Sequence, residues 1–175
     1  MGYKAYCDKG LLVEFEYPKS KLNDGERIGR KDKLERIQMR GYNLIAVFNR
    51  EEDKVLMCKR KKNPYKGLAN LVGGKIEKNE NGIEAAYREL QEETTITGDD
   101  IILYHLMDFT YYGEGCFIEV YVGKLNKEIK VSGDENELFW SDLKQNFSDE
   151  SKYAGNGNID HIMKAIKQYK EERQQ

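Results

Sequence analysis

An α+β fold, a mixed sheet held between two helices as an α/β/α sandwich, is what three features of this 175-residue chain predict. Short apolar runs of strand length recur between clusters of Gly, Asn and Asp. One amphipathic helical pattern stands in the middle of the chain, and a second closes it. Strands, helix, strands and helix in that order suit helices covering a shared sheet.

Taken in order, residues 1–38 read as an N-terminal extension. "GLLVEFEY" has the composition of one strand, and "PKSKLNDGERIGRKDKLERI" reads as a polar loop followed by a short solvated helix. That stretch holds too few apolar residues for a core of its own, so the folded domain is expected to run from residue 39 to 175. Tyr42–Phe48 and Lys54–Arg60 flank the turn "NREED" and suggest a hairpin. Ala69–Val72 is a short apolar run stopped by Gly73-Gly74. "IILYHLMDFTYY" and "CFIEVYV", separated by "GEG", form a second hairpin signal. In its second arm Ile118, Val120 and Val122 share one face, and Phe117, Glu119 and Tyr121 the other. Glu137–Trp140 is a further strand. The middle helix starts near Asn81, which with Glu84 resembles a capping box; Ile83, Ala86, Tyr87 and Leu90 make its apolar stripe. In the closing helix Ile159, Ile162, Met163, Ile166 and Tyr169 recur at helical spacing, with Asn158 as the N-cap.

Composition excludes several classes. Hydrophobic residues at 39% and charged residues at 34% describe a globular chain with a wet surface. A net charge of −2 argues against a nucleic-acid polymer as partner. Cys7, Cys58 and Cys116 are too few and too scattered for a disulfide framework or a paired-cysteine zinc site, and are expected to be reduced thiols. The opening "MGYKAYCDKG" has no apolar leader, and "LIAVF" is far too short to span a bilayer. A cytoplasmic protein with no membrane contact is expected.

The middle helix breaks a local rule. Glu89, Glu92 and Glu93 crowd its C-terminal end, where the helix dipole favours Lys or Arg. Spaced at i, i+3 and i+4, they share one face and repel one another. One reading is a solvated acidic face in which Arg88 serves Glu84 and Glu92. The other is a site for a hard divalent cation, which takes oxygen ligands from a few carboxylates together with substrate phosphates. Gly73-Gly74, just upstream, allows backbone carbonyls and a bulky anion to come close.

The spacing decides between them by resemblance. Gly74, five residues, Glu80, seven residues, Arg88-Glu89-Leu90, then Glu92-Glu93 and Ile96 resemble the Nudix box. Thr95 departs from it, standing where the box has glycine, and altered geometry at the helix exit is expected there. The flanking runs "YNLIAVF", "KVLMCKRKKNP", "LVGGKIE" and "ENELFW" fall where Nudix strands and loops belong. The resemblance implies hydrolysis of a nucleoside diphosphate linked to another group, with Mg²⁺ or Mn²⁺. It implies Glu92, Glu93 and the carbonyl of Gly73 as metal ligands, and Glu89 as ligand or base. Arg88 would hold a carboxylate by a fork-like contact, and Glu80 would stand outside the ligands. A distal acid from a later loop is assigned to Glu135, with Glu114 as the second choice.

Substrate contacts are expected at Lys75 in the glycine loop and at Arg60 in the run Lys59–Lys62, which reads equally as a wet strand end. "LVGGKIE" is similar to MutT-type members, which place a purine-reading amide or acid where Asn156 and Asn158 stand. The leading expectation is therefore a purine nucleoside triphosphate such as 8-oxo-dGTP, cut to the monophosphate and pyrophosphate. The alternatives are ADP-ribose, a nucleotide sugar or a dinucleoside polyphosphate, or a nucleotide-binding module without catalysis. Tyr42, Tyr65, Phe109 and Tyr111 are candidates either for base stacking or for packing. The chain is expected to act as a monomer or homodimer.

Overall fold

The computed structural model describes residues 39–172 and the backbone of two short segments, Lys4–Ala5 (β1) and Val13–Glu14 (β2), which pair antiparallel. The rest of the polar segment expected before residue 39 lies outside the described residues. The sheet is built from Arg40–Phe48 (β3), Lys54–Lys59 (β4), Ala69–Asn70 (β5), Ile101–Tyr111 (β6), Cys116–Leu125 (β7) and Glu137–Asp142 (β8). Two helices, Gly82–Thr94 (α1) and Asn158–Glu172 (α2), cover it. An α+β layered arrangement is what forms.

The centre of the sheet is a parallel pair, β3 on β7, in register from Arg40↔Cys116 to Phe48↔Lys124. β6 adds antiparallel to the far edge of β7, with an irregularity between His105 and Met107. The hairpin expected between β3 and β4 is real only at its base. The two strands pair at Phe48↔Val55 and then part, β4 running along β8 instead. The vacated edge of β3 is taken by the glycine loop: Ile45 bridges Val72, Tyr42 bridges Lys75, and the Asn43 and Ile45 N–H groups donate to Gly74 and Val72 carbonyls at 2.8 Å. Strand separation is thus what seats the loop against the middle of the sheet.

Alternation along β3 feeds two cores. Ile45 and Val47 face α1, joining Leu56, Val72, Ala86, Leu90, Ile96 and Tyr121. Ala46 and Phe48 face α2, joining Val55, Met57, Val120, Ile159, Ile162 and Ile166. Coverage of both faces explains why β3 and β4 read as continuous apolar runs. Each buried aliphatic side chain contributes roughly 1.5–3 kcal/mol of transfer free energy, so these two layers hold the helices in place. Among the described residues no helix is long and apolar enough to cross a membrane.

The ends of α1 are well defined. Asn81 accepts from the Glu84 N–H at 3.0 Å and Glu84 returns a bond to the Asn81 N–H at 2.9 Å, the expected capping box. At the exit Thr95 takes the left-handed conformation, φ 66, and its N–H reaches the Gln91 carbonyl. The geometry a glycine would adopt is therefore kept, not altered, at the expense of a β-branched residue with positive φ.

Candidate active site

Two glycines bring the loop onto the acids of α1. A Cβ at Gly74 would collide with the Glu89 carboxylate, and one at Gly73, whose φ is +133, would collide with Asn43. The Gly73 N–H donates to Glu93 Oε2 at 3.0 Å, and the Gly74 N–H donates to Asn43 Oδ1 at 3.1 Å. Glu89 and Glu93, one turn apart on α1, are thereby held against the loop from below.

Arg88 fastens the other side. Its Nε and Nη2 grip Glu80 at 3.1 and 2.7 Å in the fork expected of it. Its Nη1 donates to Glu89 at 2.8 Å and to Glu92 at 3.1 Å, and Nη2 also reaches the Lys75 carbonyl at 2.9 Å. Glu84, the other partner the sequence offers to Arg88, is engaged in the capping box. Arg88 thus gathers three carboxylates and the glycine loop around one guanidinium. Its neighbours respond in charge: Arg88 is driven further up from its ordinary value, by Glu80 above all, and Glu80 is held below the usual carboxylate range, chiefly by Arg88.

Glu89 and Glu93 shift the other way. Burial is the main reason that the Glu93 carboxyl lies above its ordinary value; the Gly73 N–H opposes this, while Glu89 and Glu135 add to it. Burial likewise raises Glu89, against the pull of Arg88 and with a push from Glu92 and Glu135. Glu135 therefore lies close enough for its charge to be felt at both. Its own carboxylate rests on Lys62 Nζ at 3.0 Å, and the next residue, Asn136, donates to Glu93 Oε1 at 3.4 Å.

These groups border a cavity of about 850 Å³. Gly73, Lys75, Glu89, Glu93, Glu135, Arg60, Asn156 and Asn158 all line it, so most of the residues singled out from sequence meet at one place. Arg88 and Glu92 stand outside the lining. Tyr42, Tyr65 and Tyr111 line the cavity, whereas Phe109 packs in the α2 core. Glu114 is present at the rim, where its carbonyl accepts from Arg40. Asn158 is the first residue of α2 and its amide donates to the Tyr111 hydroxyl, so a cap is not what this side chain supplies. Arg60 is steadied by the Pro64 carbonyl at 2.8 Å.

Asn43 and Asn136 escaped the sequence reading. Asn43 is 1% exposed in an apolar strand, and its Nδ2 is buried with no hydrogen-bond partner. A polar residue inside "YNLIAVF" was the available signal; Asn136, on a polar loop, gave none.

The donor set suits a hard cation: carboxylate and carbonyl oxygens, with no sulfur or imidazole among them. Raised, mutually repelling carboxylates are a feature that a bound cation would relieve. Among the described residues, three such side chains do not yet converge as a ready cage. Glu92 and Glu89 lean on Arg88, and Glu135 on Lys62, so each acid is parked on a neighbouring cation.

Fold and site together are those of a hydrolase acting on phosphoric anhydride bonds. Residues 39–161 match the NUDIX domain, and the chain belongs to that family. It is similar to the ADP-ribose pyrophosphatase of Methanocaldococcus jannaschii, at 27% identity over 148 residues, 82% of this chain and 86% of that one. The 8-oxo-dGDP phosphatase of Mus musculus matches at 36% identity over 62 residues, 35% of this chain and 19% of that one. Among solved structures, the bifunctional NMN adenylyltransferase/ADP-ribose pyrophosphatase of Francisella tularensis, complexed with AMP and a Mn ion, superposes with a TM-score of 0.60 at 20% identity. It covers 74% of this chain and 42% of that one, and shows the shared fold.

Proposed function

We propose that this chain is a divalent-cation-dependent pyrophosphohydrolase of nucleoside diphosphates linked to a second group, with ADP-ribose as the first substrate to test. The observation that carries this reading is one cavity lined both by the acids Glu89, Glu93 and Glu135 and by the bases Arg60, Lys62 and Lys75. Acids to hold a cation and bases to hold phosphate share its lining. When bound, Mg²⁺ or Mn²⁺ would neutralise the diphosphate and acidify a bound water. Glu93, Glu92, Glu89 and the Gly73 carbonyl are the groups proposed to hold it, with Glu135 joining from its loop. Arg60 and Lys75 neutralise and orient the phosphates. Arg88 keeps Glu89 and Glu92 aimed, and does not touch the substrate. Glu89 or Glu135 accepts the proton of the attacking water; burial at Glu89 raises its affinity for that proton. The free thiols of Cys58 and Cys116 suit a reducing, cytoplasmic setting.

ADP-ribose comes first because the relative of that name aligns over most of both chains. An oxidised purine nucleotide comes second. Asn156 and Asn158 lining the cavity favour it, as does the local match to the 8-oxo-dGDP phosphatase; the engagement of the Asn158 amide by Tyr111 weighs against it. The test is product release with Mg²⁺ over ADP-ribose, 8-oxo-dGTP, dGTP, a nucleotide sugar and a dinucleoside tetraphosphate, with Glu93→Gln as control. Two monophosphates from ADP-ribose is the expected outcome. Pyrophosphate from 8-oxo-dGTP alone would exchange the two readings, and binding of any of these without turnover would leave a sensor.

A further inference from the structure

We infer that Asn136 is a positioning residue for Glu93, tying that carboxylate to the strand end that carries the phosphate-facing cations. The inference rests on Glu93 as a metal ligand. Each oxygen of Glu93 has its own donor: the Gly73 N–H for Oε2 at 3.0 Å and Asn136 Nδ2 for Oε1 at 3.4 Å. The other end of the same amide is also used, since Asn136 Oδ1 accepts the Lys61 N–H at 3.2 Å. One side chain thus spans from the buried acid on α1 to the backbone between Arg60 and Lys62. Both groups of that amide are spent, which fixes its orientation and so the plane of the Glu93 carboxylate.

The loop does not depend on Asn136 for its place. Gly133 packs against the Glu93 carbonyl so tightly that a Cβ would collide with it, and the Ser132 N–H donates to the Thr94 carbonyl at 3.3 Å. Lys61 Nζ reaches the Asp134 carbonyl at 3.2 Å and Lys62 pairs with Glu135. Asn136→Ala therefore removes the bond to Glu93 and the acceptor for the Lys61 N–H, which is exposed and is left to water, while the other contacts keep the loop seated.

The experiment is an equilibrium Mn²⁺ titration by electron paramagnetic resonance, run on the full chain without nucleotide, for wild type, Asn136→Ala and Lys61→Ala. It is joined by kcat and KM on the best substrate of the panel and by the unfolding midpoint. Loss of an outer partner of a metal ligand weakens metal binding by about 10–100-fold. Asn136→Ala is expected to weaken Mn²⁺ about tenfold and lower kcat, with KM and the unfolding midpoint unchanged. Lys61→Ala, which keeps the backbone N–H, is expected to bind Mn²⁺ as wild type does. Equal Mn²⁺ affinity in wild type and Asn136→Ala would overturn the inference alone, as would weaker binding accompanied by a lowered unfolding midpoint. A wild type that binds no Mn²⁺ and turns over nothing would overturn the proposed function with it.

Discussion

The two helices lie on opposite faces of one sheet and bury similar stripes, yet only one has a base in its last turn. α2 has Asp160 in its first turn and Lys170 in its last, and it carries the pairs Lys164–Asp160 at 2.7 Å and Lys167–Glu171 at 3.8 Å. Each of these agrees with the helix dipole or with i,i+4 pairing. α1 begins equally well, with its capping box, and ends badly: two acids, no base in the last turn, and a threonine where left-handed backbone calls for glycine. α2 also ends on two acids, Glu171 and Glu172, but Lys167 and Gln168 answer them from one turn back and Lys170 stands beside them. The last turn of α1, which faces the glycine loop, holds no base. A fold that can build an ordinary helix on one face, and does, has a reason for the other that packing does not supply.

The sharpest way to break this contrast is to neutralise one acid on each helix. Glu93→Gln should lower kcat/KM by about a thousandfold, near 4 kcal/mol of lost transition-state stabilisation, because a metal ligand supplies several kcal/mol. Its unfolding midpoint should hold or rise, since a buried charge repelled by Glu89 and Glu135 has gone. Asp160→Asn on α2 should leave activity intact. Equal effects from the two would end the argument from helix polarity.

Next in size is the core. Ile162 is fully buried beneath α2, and Ile162→Ala should cost about 3 kcal/mol in urea unfolding. The molecules that remain folded should keep wild-type kcat. Leu90→Ala, the corresponding buried position on α1, should cost as much stability and also lower kcat, because Glu89 and Glu93 flank it. If both variants lost stability alone, α1 would be a support no different from α2.

The helices should also differ in their response to pH and metal. Folded Glu93 and Glu89 hold a proton more tightly than the unfolded chain does, so their contribution to stability is present below about pH 4.5 and is lost as pH rises through their raised values. Metal-free wild type should accordingly fall behind Glu93→Gln in stability between pH 4.5 and neutrality. On the α2 side Glu52 has the opposite sign. Lys170, and then Lys124, hold it below 4.5, so its contribution is present above that pH and is lost as acid carries it through the lowered value. At pH 7, Mn²⁺ at about a hundred times its Kd should stabilise the wild type by about 2.7 kcal/mol and Glu93→Gln hardly at all. Thermal melts across pH, with and without Mn²⁺, measure both effects.

How much of this was legible in the sequence depends on how local the cause is. The capping box, the apolar stripe of α1 and the strand alternation of β7 follow from spacings of a few residues, and they are found where the spacing puts them. The acids of α1 were legible for the same reason, since i, i+3 and i+4 place them on one face. The fork of Arg88 came only from the family resemblance, because its partner Glu80 stands before the helix. The parting of β3 and β4 was not. It depends on Val72–Lys75 claiming the edge of β3 and on β8, far along the chain, claiming β4. Asn43 and Asn136 were missed likewise, because each acts on residues that only the sheet brings near. Substrate choice is harder still: the cavity wall draws on seven separate segments, and a periodicity carries no information about their spacing in three dimensions.

The smallest expected effect tests the exit of α1 itself. Thr95 has φ 66 and ψ 2, and its N–H completes the helix on the Gln91 carbonyl. Left-handed backbone costs a residue with a Cβ about 1–2 kcal/mol, more than glycine pays. Thr95→Gly removes that strain and returns about 0.5–1 kcal/mol of it through the greater freedom of the unfolded chain. The side chain is exposed, and its hydroxyl donates only to the neighbouring Thr94 carbonyl, so little else is lost. Net stabilisation of about 0.5–1 kcal/mol is expected in urea unfolding, with kcat and Mn²⁺ affinity unchanged because the exit keeps its shape. Were kcat to move with it, Thr95 would be holding Glu92 and Glu93 in place through the strain of that turn, and the poor ending of α1 would belong to the site in its backbone as well as in its acids.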